Sequence, residues 1–391
     1  MGNKLIITKL KRNDVTYMVT ALYSEKQLLE VYLETSAQES ILNNIYIGRV
    51  KDVVKNLNAA FIEIEPGKPC YYSLEDYYNP LYVKKINSPR MVQGDEVVVQ
   101  VVKENIKTKP PKVSTNLSFA GTYLVLTTEN TALGISRKLP EQERERLKQL
   151  LEPCKNDSFG LIVRTNAAQA ESAEIFREYN ALKQEYEQLT QNAIHRTCFS
   201  CLKKSPPEFL TIIKDLHQTE LEEIITDEPF VLERLKANGI KAVHYEDKLL
   251  SLSSLYSLDI RLKEALQEKV WMKSGGYLVI QPTEAMTVID VNTGKSIAKK
   301  KVQEHYLKIN LEAAEEIAHQ LRLRNISGII IVDFIDMKEQ KHKDELMFRL
   351  RQFIKEDRVP VQVVDMTRLN LVELTRKKVR KSLAEQIEGV K

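Results

Sequence analysis

Several features of membrane, secreted and low-complexity proteins are missing from this sequence. Its 391 residues include four cysteines, 13 glycines and 13 prolines, which excludes a disulfide framework and a collagen-like or flexible low-complexity chain. No apolar run approaches the roughly 18 residues of a membrane span. The starting segment MGNKLIITKLKRND has no apolar signal region, and Ile6 does not fit a myristoylation site. We therefore expect a soluble, cytoplasmic protein with no membrane partner.

The charge excess is also small, with 58 Lys and Arg against 54 Asp and Glu and a net charge of +4. By itself this excess establishes no nucleic-acid partner, so local charge has to decide. The chain is 43% apolar and 29% charged, which excludes wholesale disorder. At roughly 100–200 residues per domain, its length predicts two to four domains.

Short alternating segments occupy the first part of the chain. Residues 1–40 are predicted to form an antiparallel meander, and residues 41–116 several short strands with turn signals such as Pro66-Gly67. Many short strands in a small span favour a Greek-key barrel of the OB type. A basic loop follows these strands and contains Lys103, Lys107, Lys109 and Lys112.

The pattern changes near Thr122. Within residues 117–208, TYLVLT and FGLIVRT predict strands, while PEQERERLKQLLE and ESAEIFREYNALKQEYEQL predict amphipathic helices. Residues 203–209 (KKSPPEF) predict a linker, and residues 209–273 mix helices with short strands. These shifts in pattern mark the expected domain boundaries.

Residues 274–391 alternate strands and helices. The strands AMTVIDVN, GIIIVDFID and PVQVVDM are each followed by a helical segment, at about 304–324, 340–357 and 370–388. A βαβαβα series predicts a mainly parallel sheet with right-handed crossovers. The expected fold class is therefore α/β, built from several domains.

Acidic and amide side chains close the strands of this last region. Asp290 and Asp333 end the first two strands, and Asn292 follows Asp290 on the same face. Parallel strands bring such residues to one sheet edge, where open α/β sheets bind ligands. Two carboxylates and an amide suit Mg²⁺ or Mn²⁺ and not zinc, and such an ion could polarise a phosphodiester. The alternative is a helix N-cap or a solvated loop residue. Asp336 and Asp365 make the edge acidic in any case.

Two long segments of this region closely resemble the catalytic core of the bacterial ribonuclease E/G family. They are KVWMKSGGYLVIQPTEAMTVIDVNTG and NLEAAEEIAHQLRLRNISGIIIVDFIDM, and the similarity continues through NIYIGRVKDVVKNLNAAFIEIE, AGTYLVLTTENTALGISRKL and GLIVRT. Members of that family are single-strand-specific RNA endonucleases that need a divalent metal and leave 5′-phosphate and 3′-hydroxyl ends. The resemblance implies an endoribonuclease whose partner is single-stranded RNA, with ribosomal RNA precursors and messenger RNA as targets.

The resemblance also implies a domain organisation. Residues 1–40 and 209–273 would form an RNase H-like subdomain, residues 41–116 an OB-type RNA-binding barrel, residues 117–208 a 5′-end sensor and residues 274–391 a DNase I-like catalytic subdomain. In that last subdomain, the resemblance makes two carboxylates the ligands of Mg²⁺, for which Mn²⁺ can substitute. These metal-holding residues are Asp290 and Asp333, and the amide that orients Asp290 or the scissile phosphate is Asn292.

In the barrel, the resemblance implies an RNA-binding surface. Phe61 matches a base-stacking Phe of the family, and Tyr71 stands where the family commonly has a second Phe. Lys109 matches an RNA-contacting lysine. For Phe61 the residues alone leave core packing as an alternative.

The resemblance further implies a pocket for a 5′-terminal monophosphate. Arg164 and Thr165 in GLIVRT match a phosphate-binding pair, and Gly121 and Val125 in AGTYLVL match backbone elements that line the pocket. An Arg fork with a hydroxyl suits a terminal phosphate, although such residues at a strand end are also common as a surface pair. Two further cations close by in sequence are Arg137 and Lys138.

The sequence also departs from the family. Cys198 and Cys201 form a single CxxC near His195, on a stretch expected to be helical, which is a weak indication of zinc or redox chemistry. The CPxCxGxG zinc-binding motif of better-known members is missing, so we predict no zinc and leave a homo-oligomer open. A basic segment on the last predicted helix is either solvated or near RNA phosphates, and contains Arg376, Lys377, Lys378, Arg380 and Lys381.

Two other functions fit the same residues. A non-catalytic RNA-binding protein could retain the fold, although the intact set of Asp290, Asn292 and Asp333 argues against it. A metal-dependent phosphatase or DNase could use the same sheet edge, although the platform of Phe61, Tyr71 and Lys109 favours single strands over duplex DNA.

Overall fold

The chain divides into two compact units. The structure is a computed structural model that describes residues 2–35, 40–76, 79–105, 109–216, 221–294 and 302–388. The inserted unit comprises Ser40–Gln218, and the terminal unit comprises Met1–Glu39 and Thr219–Lys391. Both contain helices and sheets, so the predicted α/β class is confirmed. No helix in the described segments is long and apolar enough to cross a membrane.

The amino-terminal meander predicted for residues 1–40 is confirmed. It consists of β1 (Asn3–Arg12), β2 (Val15–Ser24) and β3 (Gln27–Thr35), paired antiparallel. Asn13 and Asp14 connect β1 to β2, and both have positive φ, as the type I′ turn of a two-residue hairpin requires.

The first sheet of the inserted unit contains a closed barrel. Its strands are β4 (Ile45–Val54), β5 (Ala59–Glu65), β6 (Lys68–Ser73), β7 (Tyr82–Lys84), β8 (Glu96–Lys103) and β9 (Lys112–Ser114). The ring runs β4-β5-β6-β9-β8 and closes because β8 also pairs with β4, while β7 continues the sheet beyond β8. Alternate residues such as Ile62 and Val99 fill the interior. The five-stranded barrel is consistent with the predicted OB type.

A four-stranded sheet with helices follows the barrel. The elements in chain order are β10 (Ser118–Ala120), β11 (Leu124–Thr127), β12 (Leu133–Ile135), α1 (Glu141–Leu151), β13 (Gly160–Val163), α2 (Ser172–Ala193), β14 (Cys201–Lys203) and α3 (Glu208–Asp215). The strand order of the four-stranded sheet is β10-β11-β13-β12, so β13 lies between β11, its antiparallel neighbour, and β12, its parallel neighbour. Strand β14 belongs instead to the barrel sheet, where it pairs antiparallel with β4. Glu171 and Glu174 form a capping box that starts α2, and Ile175 and Leu182 of α2 join the core of this sheet.

In the terminal unit, two more strands extend the meander. These are β15 (Leu221–Thr226) and β16 (Val243–His244), and the helices around them are α4 (Pro229–Ala237), α5 (Leu252–Leu255) and α6 (Leu258–Ala265). The strand order is β16-β15-β1-β2-β3, with β15 parallel to both β1 and β16. Leu258 and Leu262 of α6 pack in the same core as Ile6 and Tyr23.

A six-stranded sheet completes the terminal unit. Its elements in chain order are β17 (Lys269–Trp271), β18 (Tyr277–Pro282), β19 (Met286–Asn292), α7 (Val302–Leu323), β20 (Gly328–Asp333), α8 (Gln340–Ile354), β21 (Val361–Met366), β22 (Leu371–Arg376) and α9 (Leu383–Glu388). The strand order is β17-β18-β19-β20-β22-β21. Helices α7 and α8 cover one face, where Ile317 and Leu346 pack with Ile289 and Val332.

Two predictions for this sheet are wrong. The sheet is mixed, because β19 and β20 run parallel while each of the other neighbouring pairs is antiparallel. The helix predicted at 370–388 is instead strand β22 followed by the short α9. In the segment LVELTR, Val372, Leu374 and Arg376 are buried and the residues between them are more exposed, a period of two that fits a strand.

The basic residues after position 375 are predicted to lie on one helix, but Arg376 ends β22 and α9 begins only at Leu383. Arg376 is buried in β22 and donates to Asp357 Oδ2 at 2.8 Å and to Asn325 Oδ1 at 2.7 Å. Lys378 pairs with Glu385 at 3.0 Å. Both cations have partners within the terminal unit, and Arg376 is buried while Lys378 is partly exposed.

Candidate functional site

The predicted metal-binding residues lie at adjoining strand ends. Strands β19 and β20 run parallel, with Asp290 in register with Asp333. On β19, Ile289 and Val291 are buried in the core under α7, so Asp290 and Asn292 lie on the opposite, open face. Both carboxylates are exposed. The structure therefore brings the three predicted side chains together.

Asn292 is bonded directly to one of the carboxylates. Its Nδ2 donates to Asp290 Oδ2 at 2.7 Å. The amide donates and the carboxylate accepts, so the bond holds the Asp290 side chain in one orientation.

Negative charge accumulates around Asp333. Asp333 is exposed, but neighbouring atoms remove part of its hydration; this partial desolvation raises the pKa of its carboxyl, and the charges of Asp290 and Asp336 raise it further. A divalent cation between such carboxylates removes their repulsion. Asp336 lies just beyond β20 and accepts a hydrogen bond from Asn370 at 3.1 Å. Asp365 lies on β21, which β22 separates from β20, so Asp336 contributes charge to the site and Asp365 lies apart.

The donor set fits a hard divalent cation. Mg²⁺ commonly takes one or two protein carboxylates and completes its coordination with water and substrate phosphate oxygens, a role open to Asp290 and Asp333. Across the described ranges, no group of three or more His, Cys, Asp or Glu side chains is arranged to hold an ion.

Phe61 and Tyr71 form an aromatic pair on the barrel. They are register partners on β5 and β6, with ring centroids 6.4 Å apart and ring planes at 79°. Both are half-buried, whereas the next residues, Ile62 and Tyr72, are fully buried. Because side chains alternate along a strand, Phe61 and Tyr71 face away from the barrel core, which does not fit the core-packing alternative for Phe61.

The basic loop beside this pair is described in part. Lys107 lies outside the described residues. Lys109 is exposed, and within the segments that the structure describes it has no ion-pair partner. Lys112, a register partner of Tyr71, pairs instead with Asp76 at 2.9 Å. Lys109 precedes β9, the strand that pairs with β6 beside Tyr71. Its ammonium group is therefore available to an RNA phosphate.

Arg164 is the cation of the predicted phosphate pocket. It follows β13, and its guanidinium donates from Nη1 to the Gly121 carbonyl oxygen at 2.6 Å and from Nη2 to Asp215 Oδ1 at 2.5 Å. Thr165 begins the 3-10 turn Thr165–Gln169. Val125 lies on β11, the strand that pairs with β13. The structure thus joins Arg164 to Gly121 and places Val125 and Thr165 on the flanking elements.

A close approach by Glu178 explains the glycine at position 121. The Glu178 carboxylate accepts the backbone N–H groups of Thr122, Tyr123 and Leu124 at 2.7, 2.7 and 2.8 Å. A Cβ at position 121 would stand 2.3 Å from Glu178 Oε1, so a larger residue would displace this carboxylate. The loop amides are bonded to Glu178, and Arg164 is bonded to Asp215, so a phosphate at this loop would share Arg164 with Asp215.

The sequence does not indicate that Asp215 and Glu178 belong to the predicted phosphate pocket. Asp215 is 51 residues from Arg164, and Glu178 is 54 residues from Leu124, so no local spacing indicates either contact. The fold brings both carboxylates to the loop. Arg137 and Lys138, the two cations close to the pocket residues in sequence, follow β12, which is the parallel neighbour of β13.

The CxxC cysteines are free thiols. Cys198 lies in a turn and Cys201 begins β14, so the helix expected here is wrong. Burial raises the pKa of both thiols, which lowers their thiolate fraction at neutral pH. The pair lacks the acidity of a redox-active CxxC.

Comparisons with known proteins agree on one family. The family model described as the ribonuclease E/G family matches residues 118–379. The chain is 34% identical over 382 residues to ribonuclease G of Haemophilus influenzae, covering 93% of this chain and 78% of the relative. It is 32% identical over 375 residues to ribonuclease G of Escherichia coli, covering 91% and 76%. Against ribonuclease E of a Synechocystis species it is 32% identical over 384 residues, covering 94% of this chain and 56% of that relative.

Proposed function

The chain belongs to the ribonuclease E/G family, and on this premise we propose that it is a Mg²⁺-dependent endoribonuclease that hydrolyses phosphodiester bonds of single-stranded RNA. The observation that carries the proposal is the register pairing of Asp290 with Asp333, with the Asn292 amide bonded to Asp290. Precursors of ribosomal RNA and messenger RNA are the proposed substrates, and Mn²⁺ the proposed substitute metal.

The residues of the site have separate parts in this reaction. Asp290 and Asp333 would hold the cation, which supplies a Lewis acid for the scissile phosphate and an activated water. Asn292 holds Asp290 in one orientation, so its carboxylate does not have to reorganise during the reaction. Asp336 adds negative charge that strengthens the attraction for a cation.

The barrel residues would bind the RNA. Phe61 and Tyr71 offer partly accessible rings, and stacking of a base on an aromatic ring contributes about 1–3 kcal/mol. Lys109 would pair with a backbone phosphate. Bases in a duplex are already stacked and unavailable to such rings, which supports a preference for single strands.

The second RNA contact would be a 5′-monophosphate. Arg164 would receive the phosphate with the Thr165 hydroxyl, while Gly121 and Val125 line the approach. The hydrogen bonds from Arg164 to Gly121 and Asp215 fix the orientation of its guanidinium before a phosphate binds. The proposed effect is faster cleavage of RNA that carries a 5′-monophosphate.

The subdomain assignments are part of the same proposal. The order β16-β15-β1-β2-β3, with an antiparallel meander joined to parallel strands, supports an RNase H-like subdomain from residues 1–40 and 209–273. The six-stranded mixed sheet with α7 and α8 on one face supports a DNase I-like subdomain from residues 274–391.

The test is cleavage of a labelled single-stranded RNA by the purified protein, with Mg²⁺ and with EDTA. We expect fragments with 5′-phosphate ends in Mg²⁺ and intact RNA in EDTA. A gel shift without cleavage in Mg²⁺ would identify an RNA-binding protein instead. Cleavage of duplex DNA in preference to RNA would point to the DNase alternative.

A further inference from the structure

Three side chains lie beside the carboxylates on the open face of the six-stranded sheet. Strand β18 pairs with β19 so that Tyr277 is opposite Asn292, and β17 pairs with β18 so that Trp271 is opposite Tyr277. One row along, Lys269 is the partner of Val279, and Val279 the partner of Asp290. Cross-strand partners share a face, so this group lies on the face that presents Asp290 and Asn292.

These residues form a cluster of two rings and a cation. The ring centroids of Trp271 and Tyr277 are 5.2 Å apart with planes at 59°. Lys269 Nζ lies 4.1 Å from the Trp271 ring centroid and 3.6 Å from that of Tyr277. In the part of the chain that the structure describes, Lys269 has no carboxylate partner. The rings hold the ammonium group in place, and it is available to an anion.

The exposure of Trp271 is unusual for its residue type. It is the single tryptophan of the chain, yet it is 63% exposed instead of lying in one of the cores. Large aromatic side chains stabilise a fold mainly when buried. An exposed indole beside an exposed site is therefore better explained by a ligand than by folding.

Strands β17 and β18 form a hairpin that is fixed relative to Asp290 and Asn292. Its turn contains Gly275, with φ of +87°, and a Cβ at Gly294 would stand 2.2 Å from the Gly275 carbonyl oxygen. The turn therefore packs directly against the chain leaving β19. Ser274 N also donates to Glu312 Oε1 of α7 at 3.1 Å. Trp271 is two strand spacings from Asn292, roughly 10 Å.

We propose that Trp271, Tyr277 and Lys269 form a stacking site for a nucleobase of single-stranded RNA next to the scissile phosphodiester. The base stacks on the exposed indole, with Tyr277 supporting it, and Lys269 pairs with an adjoining phosphate. The inference rests on the proposed function, because it takes RNA as the substrate. These residues position the substrate and take no part in the bond-breaking step.

The single tryptophan provides a direct measurement. The full chain is titrated with a short single-stranded RNA in EDTA, so that binding is observed without cleavage, and Trp fluorescence is followed. We expect saturable quenching by the RNA and none by an abasic oligonucleotide of the same length, which keeps the phosphates and lacks bases.

Steady-state cleavage in Mg²⁺ supplies the second readout. Trp271→Ala should raise KM by about fivefold to a hundredfold, the effect of losing one base–aromatic stack, with little change in kcat. Trp271→Phe should restore most of the loss because it keeps a ring. Lys269→Gln should reduce the salt dependence of binding by about 0.7 log unit per log unit of salt. The matched control is Phe348→Ala, another exposed aromatic of the same unit (58% exposed, on α8), which should leave KM unchanged.

The outcomes separate the two proposals. If the unmodified protein cleaves RNA while its fluorescence ignores RNA and Trp271→Ala keeps the normal KM, the stacking site is wrong and the nuclease function stands. If Trp271→Ala changes the mass in solution, measured by light scattering, with the KM unchanged, the indole covers a protein interface and the stacking site is again wrong. Quenching without any cleavage supports the stacking site and counts against the nuclease.

Discussion

Arg164 donates a hydrogen bond to Asp215 at 2.5 Å, across 51 residues of sequence. The proposed receptor of the terminal phosphate is thus a cation that already has an anionic partner. Asp215 fixes the direction of the guanidinium and also brings the local charge close to zero. A phosphate entering this pocket shares Arg164 with Asp215 and experiences its repulsion.

The first prediction concerns the preference for a 5′-monophosphate. One charge-assisted hydrogen bond of about 1.5–3 kcal/mol should give a preference of roughly tenfold to a hundredfold in kcat/KM over the 5′-hydroxyl RNA. A 5′-triphosphate should be excluded by its size. Arg164→Ala should abolish the preference and leave cleavage of the 5′-hydroxyl RNA almost unchanged. Equal rates on the two RNAs with the unmodified protein would refute the sensor and leave the nuclease proposal intact.

The second prediction concerns Asp215. Asp215→Asn keeps an oxygen that can accept from Arg164 but removes the negative charge, so the preference for the monophosphate should rise by about fivefold, the effect of roughly 1 kcal/mol of repulsion. The measurement is kcat/KM for the two RNAs. The control is Glu185→Gln, which removes a carboxylate paired with Lys203 at 2.6 Å in the same unit. A lower preference in Asp215→Asn would show that Asp215 acts by orienting Arg164 alone.

The third prediction concerns the carboxylates. Asp290→Asn or Asp333→Asn removes half of the paired negative charge that would hold the cation, so kcat should fall by orders of magnitude while RNA binding in a gel shift survives. Asn292→Ala should be less severe, because it removes an orienting bond and no charge. Asp365→Asn, on the same sheet beyond β22, should cleave normally. Near-normal rates for either carboxylate variant at saturating Mg²⁺ would exclude the site.

The fourth prediction concerns the barrel surface. Phe61→Ala and Lys109→Ala should raise KM more than they lower kcat, because stacking and phosphate contacts hold substrate and transition state alike. Tyr71→Phe keeps the ring and should bind RNA normally, as should Leu57→Ala, which truncates an exposed apolar residue of the same unit (65% exposed). Loss of the folded circular dichroism spectrum in Phe61→Ala would instead indicate a structural role.

The fifth prediction concerns stability and pH. Burial alone would raise the pKa of Glu30, but the charges of Arg358 and Arg322 and the hydrogen bonds from Arg322 and Tyr32 lower it from 4.5 to about 2. A lowered carboxyl pKa stabilises the folded state above the unfolded pKa, so this contribution should be present at neutral pH. It should be lost as the pH falls from about 4.5 to about 2.

Glu30→Gln should therefore lower the free energy of unfolding at pH 7 by about 1.5–3 kcal/mol, because two half-buried arginines lose the buried carboxylate that they share. The loss should shrink toward pH 2, as followed by urea denaturation. Glu356→Gln is the matched control: Glu356 lies 3.8 Å from the same Arg322 but is 75% exposed, and its removal should cost at most about 1 kcal/mol. Equal losses of unfolding free energy in Glu30→Gln and Glu356→Gln would show that burial of the Glu30 ion pairs does not stabilise the fold.

Local patterns explain which parts of the fold can be predicted. In the meander and the barrel strands, apolar and polar residues alternate with a period of two. Helix α7 carries an apolar stripe of helical period. Each pattern can be recognised in a short stretch of sequence. The crossover through α7 predicts that Asp290 and Asp333 lie at the same sheet edge, and strand alternation predicts the placement of Asn292. These site residues can therefore be found without coordinates.

Long-range pairing explains the errors. Strand β22 inserts antiparallel between β20 and β21, which no local signal specifies, and the buried Arg376 at its end resembles a surface cation in sequence. The same holds for the partners of the sensor loop: Asp215 and Glu178 lie on helices far along the chain. Charge pairing across such distances depends on the finished fold.

Synthesis on the ribosome separates the two edges of strand β1 in time. One edge pairs with β2 almost at once, whereas the other waits for β15, since Asn3 is the partner of Leu221. At roughly 5–20 residues per second, residues 40–218 take roughly 10–40 s to emerge. Throughout that interval Ile6 and Ile7, fully buried in the finished protein, border an unpaired strand edge that other chains can bind. We expect nascent chains halted before residue 221 to be held by chaperones even after the inserted unit has folded.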